Sequence, residues 1–561
     1  MTTTTMKRVR QAAPEPALAE AQGLQVQRAL LRWLDFAQEY YDRKGALVLG
    51  IVAGLLAVWG FFASRASPLW LDELLGLVAA RTPTASDLLS ALRSGVDFNP
   101  PLYHFLEHLS IGMLGYSPAA ARLPAFLGML IFFLCLFRFV SRRLSPSYGV
   151  LAVLIVLDTP VRQYAWEARP YGLVLGLTGL AMVAYQLRIE RNSGWLALAL
   201  YSIATGGLVA SHYYAFLIIG AFLCAELVRT LSRKKIDWLL LAGSVFPPTL
   251  VLFLLRDTIR GQLSSLGQYH SPGSITSFIY GYELYTIKTW IWCVAAIAVV
   301  LVTQLKAALP DSEEEDVSAT STFSGPELML ASVLLLLPLI GNAAAIALHA
   351  YVARYFIAAA AGYGILAAYV AAYLSKRCTP VPLLLSLIIG ASLAAQFVPA
   401  LRSKSTSALT GLKQLQNSQI PIVFEGEGDF LQAIELRPDM QKQFYFVSEP
   451  KLALKLIGTD TEDRIMKAVA ARRSVQVVTL DSLPRSTDGI LVVPSPVGWL
   501  VKCLAGMNAD MQLIPFSGLS NRQLPIPSIL RVRLPQRDAD SEPWCTSGHA
   551  VSPPAAVLLG R

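Results

Sequence analysis

Apolar runs of roughly 17 to 22 residues recur from about Ala46 to Phe397, each long enough for an α-helix to cross a hydrocarbon core about 30 Å thick. A backbone in lipid must satisfy its own hydrogen bonds, so such a chain is driven toward a helical bundle. A soluble helical repeat would show polar faces, which these runs almost lack. Composition agrees: 54% of residues are hydrophobic and 15% charged, far from a soluble average. The net charge of +9 does not point to nucleic acid, because the basic residues are scattered at the ends of apolar runs and form no stripe.

The runs predict about eleven spans, near residues 46–63, 122–140, 148–165, 171–187, 195–210, 214–228, 238–255, 287–305, 327–347, 355–374 and 381–398. Lys and Arg in short connections stay cytoplasmic. Lys7, Arg8, Arg10, Arg28, Arg32, Arg43 and Lys44 precede the first span and put the amino terminus inside. Alternation then places Arg138/Arg142/Arg143, Arg188/Arg191, Arg229/Arg233/Lys234/Lys235 and Lys376/Arg377 on the same side. The acidic segment 311–316 also falls inside, although acidic residues weigh little in orientation.

The expected organisation is a cytoplasmic segment 1–45, a membrane domain 46–399 with a large outer loop at 64–121, an outer α/β domain at 400–535 and a disordered tail at 536–561. Within the outer domain, strand-like PIVFEG, QFYFVS, SVQVVTL, GILVVP and ILRVRL alternate with helical TEDRIMKAVAARR and VGWLVKCLAGM. About 45 polar and amphipathic residues precede the first apolar run, with no small-residue cleavage site after it, so that run is expected to remain as an anchor. No CxxC or Cys/His ligand spacing occurs; a bridge between Cys503 and Cys545 would require an oxidising compartment.

Polar residues that could carry chemistry fall where the runs meet the outer side. Trp70-Leu71-Asp72-Glu73 follows the first span, and its adjacent carboxylates could act as a base and its polar support; a solvated acidic helix start reads equally well. Asn99-Pro100-Pro101-Leu102-Tyr103-His104 leads to Glu107 and His108. The prolines set an extended lead into a helix that would place His104 and His108 on one face. That spacing suits a metal, but no third ligand is in sight and a structural or substrate-contacting role outweighs it. Glu167-Ala168-Arg169-Pro170-Tyr171, Ser211-His212-Tyr213-Tyr214 and Arg354-Tyr355 also lie at outer edges. A guanidinium there is costly in lipid and suits a phosphate, against the bland reading of interfacial anchoring.

In order, WLDE, NPPLYHF with GYSPAAARLPAFLG, YAWEARPYGL, SHYYAFL and YVARYFI resemble the glycosyltransferase C superfamily across about residues 46 to 375. The likeness is to the bacterial branch with protein O-mannosyltransferases, aminoarabinose transferases and Rgt-type lipopolysaccharide glycosyltransferases. It implies an inverting enzyme of the bacterial inner membrane that moves a sugar from a polyprenyl phosphate to a glycan, lipid or protein acceptor outside. By the same resemblance, Asp72 is the general base, Glu73 positions acceptor or base, and Arg169 and Arg354 lie near the lipid phosphate with His212 and Tyr171 as further candidates. Tyr103, His104, His108 and Glu167 are the acceptor or loop candidates. Asp158 and Thr159 precede Pro160 where relatives more often carry a small hydroxyl residue. No Asp-rich metal motif is evident in the first outer loop, so divalent-cation dependence, known in some relatives, stays open.

The rival reading is a transporter or flippase of lipid-linked saccharides. Transporters place ionisable and helix-breaking residues near the midplane of spans. Here they gather at the outer ends, and a large outer domain has no transport rationale. A fold-retaining scaffold without activity is the third reading.

Overall fold

The computed structural model describes residues 15–191, 194–266, 281–307, 323–348, 352–375, 380–402 and 420–534 except 485, 487, 496–497, 507–508 and 515–528. The expected tail, Cys378, Cys545, the acidic segment 311–316 and Lys376/Arg377 lie outside the described residues.

An amphipathic helix, α1 (Glu15–Arg43), leads into the bundle and exposes Val26, Trp33, Phe36 and Tyr40, the pattern of a helix lying in a membrane interface. Each expected span then falls on a helix: α2 (Gly45–Ala66), α6 (Pro118–Ser141), α7 (Pro146–Leu157), α8 (Tyr171–Arg191), α9 (Trp195–Ser211), α10 (Phe216–Arg233), α11 (Trp238–Leu254), α13 (Thr289–Ala307), α14 (Gly325–Leu348), α15 (Ala359–Leu374) and α16 (Val381–Arg402). Between α2 and α6 lie α3 (Leu71–Ala80), α4 (Ala85–Arg93) and α5 (Leu102–Leu114), and α12 (Arg256–Ser265) follows α11. Five of the spans are long and apolar enough to cross a membrane as they stand, a sixth does so as the α11–α12 pair bent by 61°, and α7, α9, α13, α15 and α16 are shorter apolar helices.

Two spans are shorter than the sequence suggested, for a local reason. The run 148–165 is helical only to Leu157, because the Thr159 hydroxyl caps back onto the Val156 carbonyl at 2.6 Å and Pro160 opens a 3-10 turn to Ala165. The run 355–374 opens with a 3-10 turn, Ala353–Phe356, before α15 begins. Irregular backbone at membrane depth is tolerated only where protein surrounds it; Ala165, Ala168 and Phe356 in these connections are all buried.

Charge divides between the two ends of the bundle. At one end Arg142 and Arg143 pair with Glu190, Arg143 with Glu327, and Arg188 and Arg229 with Asp237. The connections 158–170, 212–215 and 352–358 lie at the other. Between these ends α6 and α8 touch backbone to backbone: a Cβ on Gly172 would stand 2.2 Å from the Ala125 carbonyl oxygen, and one on Gly128 2.5 Å from that of Gly172. Small residues allow this approach where lipid offers no hydrophobic drive between helices.

The C-terminal part carries a six-stranded sheet, order β3-β2-β1-β4-β6-β5, from β1 (Ile422–Phe424), β2 (Phe444–Val447), β3 (Val477–Val478), β4 (Ile490–Val493), β5 (Asp510–Ile514) and β6 (Ile529–Arg533). The first four strands of that order are parallel, and β6 pairs antiparallel with β4 and β5. All five strand-like runs are strands; β5 went unforeseen, as did helices α17 (Glu427–Leu436) and α18 (Pro450–Ile457), whereas α19 (Thr461–Ala470) and α20 (Leu500–Gly506) fall on the two helical runs. The segment between α2 and α6 and this sheet do not stand apart: Leu74, Leu77, Leu88 and Leu92 of α3 and α4 share one core with Phe424, Phe430, Phe444 and Phe446. Cys503 is disulfide-bonded.

Because α8 carries the start of the polar cluster described next, spacing of α6 and α8 matters beyond stability. Gly172→Ala should push the two helices apart and cost about 1–3 kcal/mol, as overpacking generally does; a lowered unfolding midpoint in detergent checks it.

Candidate active site

Asp72 and Glu73 are adjacent in α3, yet a helix turns successive side chains about 100° apart, and the two have different fates. Glu73 is fully buried. Arg122, near the N-terminal end of α6, donates to both its oxygens at 2.7 Å, and the backbone N–H groups of Ala168 (2.6 Å) and Trp70 (3.1 Å) donate as well. The remaining Arg122 hydrogens reach the Ser64, Ser67 and Pro68 carbonyls. Glu73 therefore pins the start of α3 to α6 and to the connection before α8, and has no oxygen left to orient an acceptor.

Asp72 faces the open side, its side chain 19% exposed. Arg354 donates to Asp72 Oδ2 at 2.8 Å and through Nε to the Tyr171 hydroxyl at 2.9 Å, and its guanidinium lies over the Trp70 ring, 5.4 Å from the centroid. Arg169 lies behind, its Nη2 4.0 Å from Asp72 Oδ2 and its Nη1 donating to the Asp72 carbonyl and to Asp97 Oδ2. The side chain of Arg354 is 31% exposed and that of Arg169 8%, so Arg354 is the guanidinium a ligand meets first. Residues from four connections thus converge, and Asp72, Arg169, Tyr171 and Arg354 lie together.

Asp97 was not singled out in the sequence, although it precedes Asn99-Pro100-Pro101 by two positions. It accepts from the Asn99 backbone and side chain at 2.8 and 2.7 Å and from Arg169, with His104 Nε2 3.5 Å away. Burial opposes its ionisation, but Arg169 and then His104 outweigh burial and hold the carboxyl well below the usual range. Arg122 was missed too, despite obeying the rule that picked Arg169 and Arg354: an arginine at the outer end of a span.

The other candidates have structural positions. The Tyr103 hydroxyl donates to the Ala121 carbonyl at 3.1 Å. His104 Nδ1 lies 3.3 Å from the Pro100 carbonyl oxygen and His108 Nδ1 2.7 Å from that of Ala80; among the described residues no three His, Cys, Asp or Glu side chains group as metal ligands. His212 is enclosed by the rings of Tyr171, Tyr214 and Tyr355. Burial, with Arg169 and Arg354 adding to it, holds His212 down to about 3, so it is neutral at physiological pH and adds no positive charge for a phosphate. Asp158 is held by Ser392 (3.2 Å) and Gln396 (2.7 Å) of α16.

Glu167 differs. One of its oxygens is buried without a hydrogen-bond partner, and burial, reinforced by Glu73, pushes the carboxyl up to about 7. A carboxyl raised in the folded state binds its proton more tightly there than when unfolded, so its contribution to stability falls as pH rises from about 4.5 through 7. Glu167→Gln should therefore lose less stability than the parent between pH 5 and pH 8; unfolding midpoints across that range measure the difference.

Residues 99–252 match the family described as dolichyl-phosphate-mannose-protein mannosyltransferase. No curated protein matches the chain by sequence. The fold is similar to that of ArnT from Cupriavidus metallidurans bound to undecaprenyl phosphate, at 12% identity and a TM-score of 0.52, over 87% of this chain and 97% of that one. The same protein in the apo state matches with the same identity and score, over 98% of its length. The matched segment and the similar fold agree with the resemblance carried by the ordered motifs.

Proposed function

We propose that this protein is an inverting glycosyltransferase of the bacterial inner membrane that moves a sugar from a polyprenyl phosphate to an acceptor hydroxyl at the extracytoplasmic face. The observation that carries the reading is the Asp72–Arg354 pair at 2.8 Å, half-open at the outer end of the bundle and backed by Arg169.

The chemistry needs a base and a cation side by side. The acceptor oxygen attacks the anomeric carbon as its proton passes to Asp72. The bond from that carbon to the phosphate oxygen breaks, and its electron pair stays on the departing lipid phosphate. Charge grows there in the transition state, so a fixed guanidinium stabilises it more than the ground state. Arg354 is suited to meet that phosphate, and Arg169, locked by Asp97, places a second guanidinium 4.0 Å from Asp72. A phosphate leaves without protonation, so one carboxylate suffices and a single displacement inverts the anomeric centre; the paired carboxylates of glycosidases are not needed. Glu73 acts through position alone, by setting where Asp72 stands. Tyr171 orients Arg354 through its hydroxyl.

The lipid named with the ArnT structure, undecaprenyl phosphate, supports a polyprenyl-phosphate donor. The arginine-rich connections at the end opposite Asp72 favour a cytoplasmic amino terminus and an outer C-terminal region, and a disulfide at Cys503 fits an oxidising compartment.

Asp72→Asn should lower transfer by about a hundred- to ten-thousandfold, the range of general base catalysis. Membranes carrying the parent or this variant, given a panel of radiolabelled polyprenyl-phosphate sugars and followed into lipid, glycan and protein fractions, read the sugar and acceptor class together. Transfer unchanged by Asp72→Asn would remove Asp72 as the base.

A further inference from the structure

The parallel part of the outer sheet reverses direction at β1, whose neighbours are β2 on one side and β4 on the other. In open α/β sheets, ligands bind in the crevice outside the carboxyl ends of the strands at such a reversal. A cavity of about 300 Å³ lies there. Glu427 and Asp429 line it from just beyond β1, Ser495 from just beyond β4, and Glu462 from the first turn of α19. Gln432 of α17 lines it too, and the facing wall is Trp70 and Leu71, directly before Asp72. Helix α17 reaches this close because position 428 is glycine; a Cβ there would stand 3.3 Å from the Leu71 Cβ.

Two polar atoms of this wall have no partner. Glu427 is 6% exposed and its Oε2 is buried with no hydrogen bond; the indole Nε1 of Trp70 is buried and equally unbonded. Buried polar atoms without partners are rare enough to call for one. Burial, then Glu462 and Asp72, raise the Glu427 carboxyl well above the usual range, so it is held neutral. Three carboxyl groups and no lysine or arginine in the lining argue against phosphate. An ammonium cannot accept from an indole N–H. A hydroxyl both accepts and donates, and so matches an indole N–H as well as a carboxyl oxygen. The volume is at the small end for ligand pockets, about 300–1,000 Å³, which suits one ring and not an extended chain.

We propose that this cleft is a pyranose-binding subsite, in which one sugar ring lies against Trp70 with a hydroxyl bridging the indole N–H and the Glu427 carboxyl. The Arg354 guanidinium, paired with Asp72, also lies over the Trp70 ring, so the same indole belongs to the cleft wall and to the Asp72 site. Which sugar enters, the one transferred or one belonging to the acceptor, rests on the transferase reading; the binding itself does not.

The test is titration of methyl pyranosides (gluco, galacto, manno and arabino) into the full-length protein in nanodiscs, read by saturation-transfer NMR and calorimetry. At least one should bind, and Glu427→Ala and Trp70→Phe should each weaken it tenfold or more, with unfolding midpoints near the parent's. Glu427→Gln, which keeps a neutral group of the same size, serves should the alanine variant fail to fold, and should weaken binding less. Displacement of the glycoside by polyprenyl-phosphate sugar, but not by polyprenyl phosphate alone, would assign the subsite to the transferred sugar; binding alongside the donor would assign it to the acceptor. Absence of binding by every glycoside, or equal binding by parent and both variants, overturns the proposal. Transfer unaffected by Asp72→Asn would overturn the transferase reading and leave glycoside binding to stand or fall on Glu427 and Trp70.

Discussion

The buried pair between Glu73 and Arg122 holds together the end of the bundle that meets the C-terminal sheet. Two charges removed from water are stable only when geometry and further hydrogen bonds compensate. Here Arg122 spans both Glu73 oxygens and three backbone carbonyls of the segment leaving α2, while Glu73 also receives the N–H groups of Trp70 and Ala168. A single pair thereby joins α2, α3, α6 and the connection before α8. Asp72 and Arg169 are each one residue from a group in that network, so their separation follows from it.

A second layer of order rests on the first. Arg169 is fixed between Asp97 and the Asp72 carbonyl, and Asp97 is itself tied down by Asn99 and by the carbonyl bond from Gln262 of α12. Arg354 arrives from far along the chain and is oriented by Tyr171, whose ring packs on His212. Rigid, inward-facing partners thus surround a pair that faces outward, which is how a site keeps its dipoles aimed before a substrate arrives. The C-terminal sheet completes the arrangement by sharing a core with α3 and α4. The Gln432 amide donates to the Leu69 carbonyl at 3.0 Å, and the Tyr116 hydroxyl to Glu435 at 2.8 Å, so the outer domain bears directly on the segment that carries Asp72.

Much of this was legible in the chain. Apolar length marks a span because lipid offers no other way to satisfy a backbone, and each of the eleven runs falls on a helix. Strands of the C-terminal region were readable from short runs rich in β-branched and aromatic residues; β5, whose ADMQL alternates apolar and polar but has no β-branched or aromatic residue, was passed over, and EGDFLQAIEL of α17 opens with two acids around a glycine. Among the site residues, Asp72, Arg169, Tyr171 and Arg354 announced themselves as polar groups at the outer ends of apolar runs. The same rule is blind to the difference between Arg354 and Arg122, because both are arginines at such an end, and only the location of Glu73 turns one of them inward.

What the sequence by itself determined is therefore the number of apolar helices, the strand-and-helix alternation of the outer domain and the short stretches in which polar chemistry can lie, all consequences of local pattern acting on one segment at a time. What only the tertiary structure decided is which neighbour each polar residue meets. Adjacent carboxylates at 72 and 73 became a half-open carboxylate and a buried anchor because α3 lays one against Arg354 and the other against Arg122, and His212, a cation candidate by type, became a neutral ring among tyrosines. Glu427 and Trp70, more than 350 positions apart, came to line one cleft. Charge, burial and hydrogen bonding act through space, and no pattern confined to one segment encodes the distance between two of them.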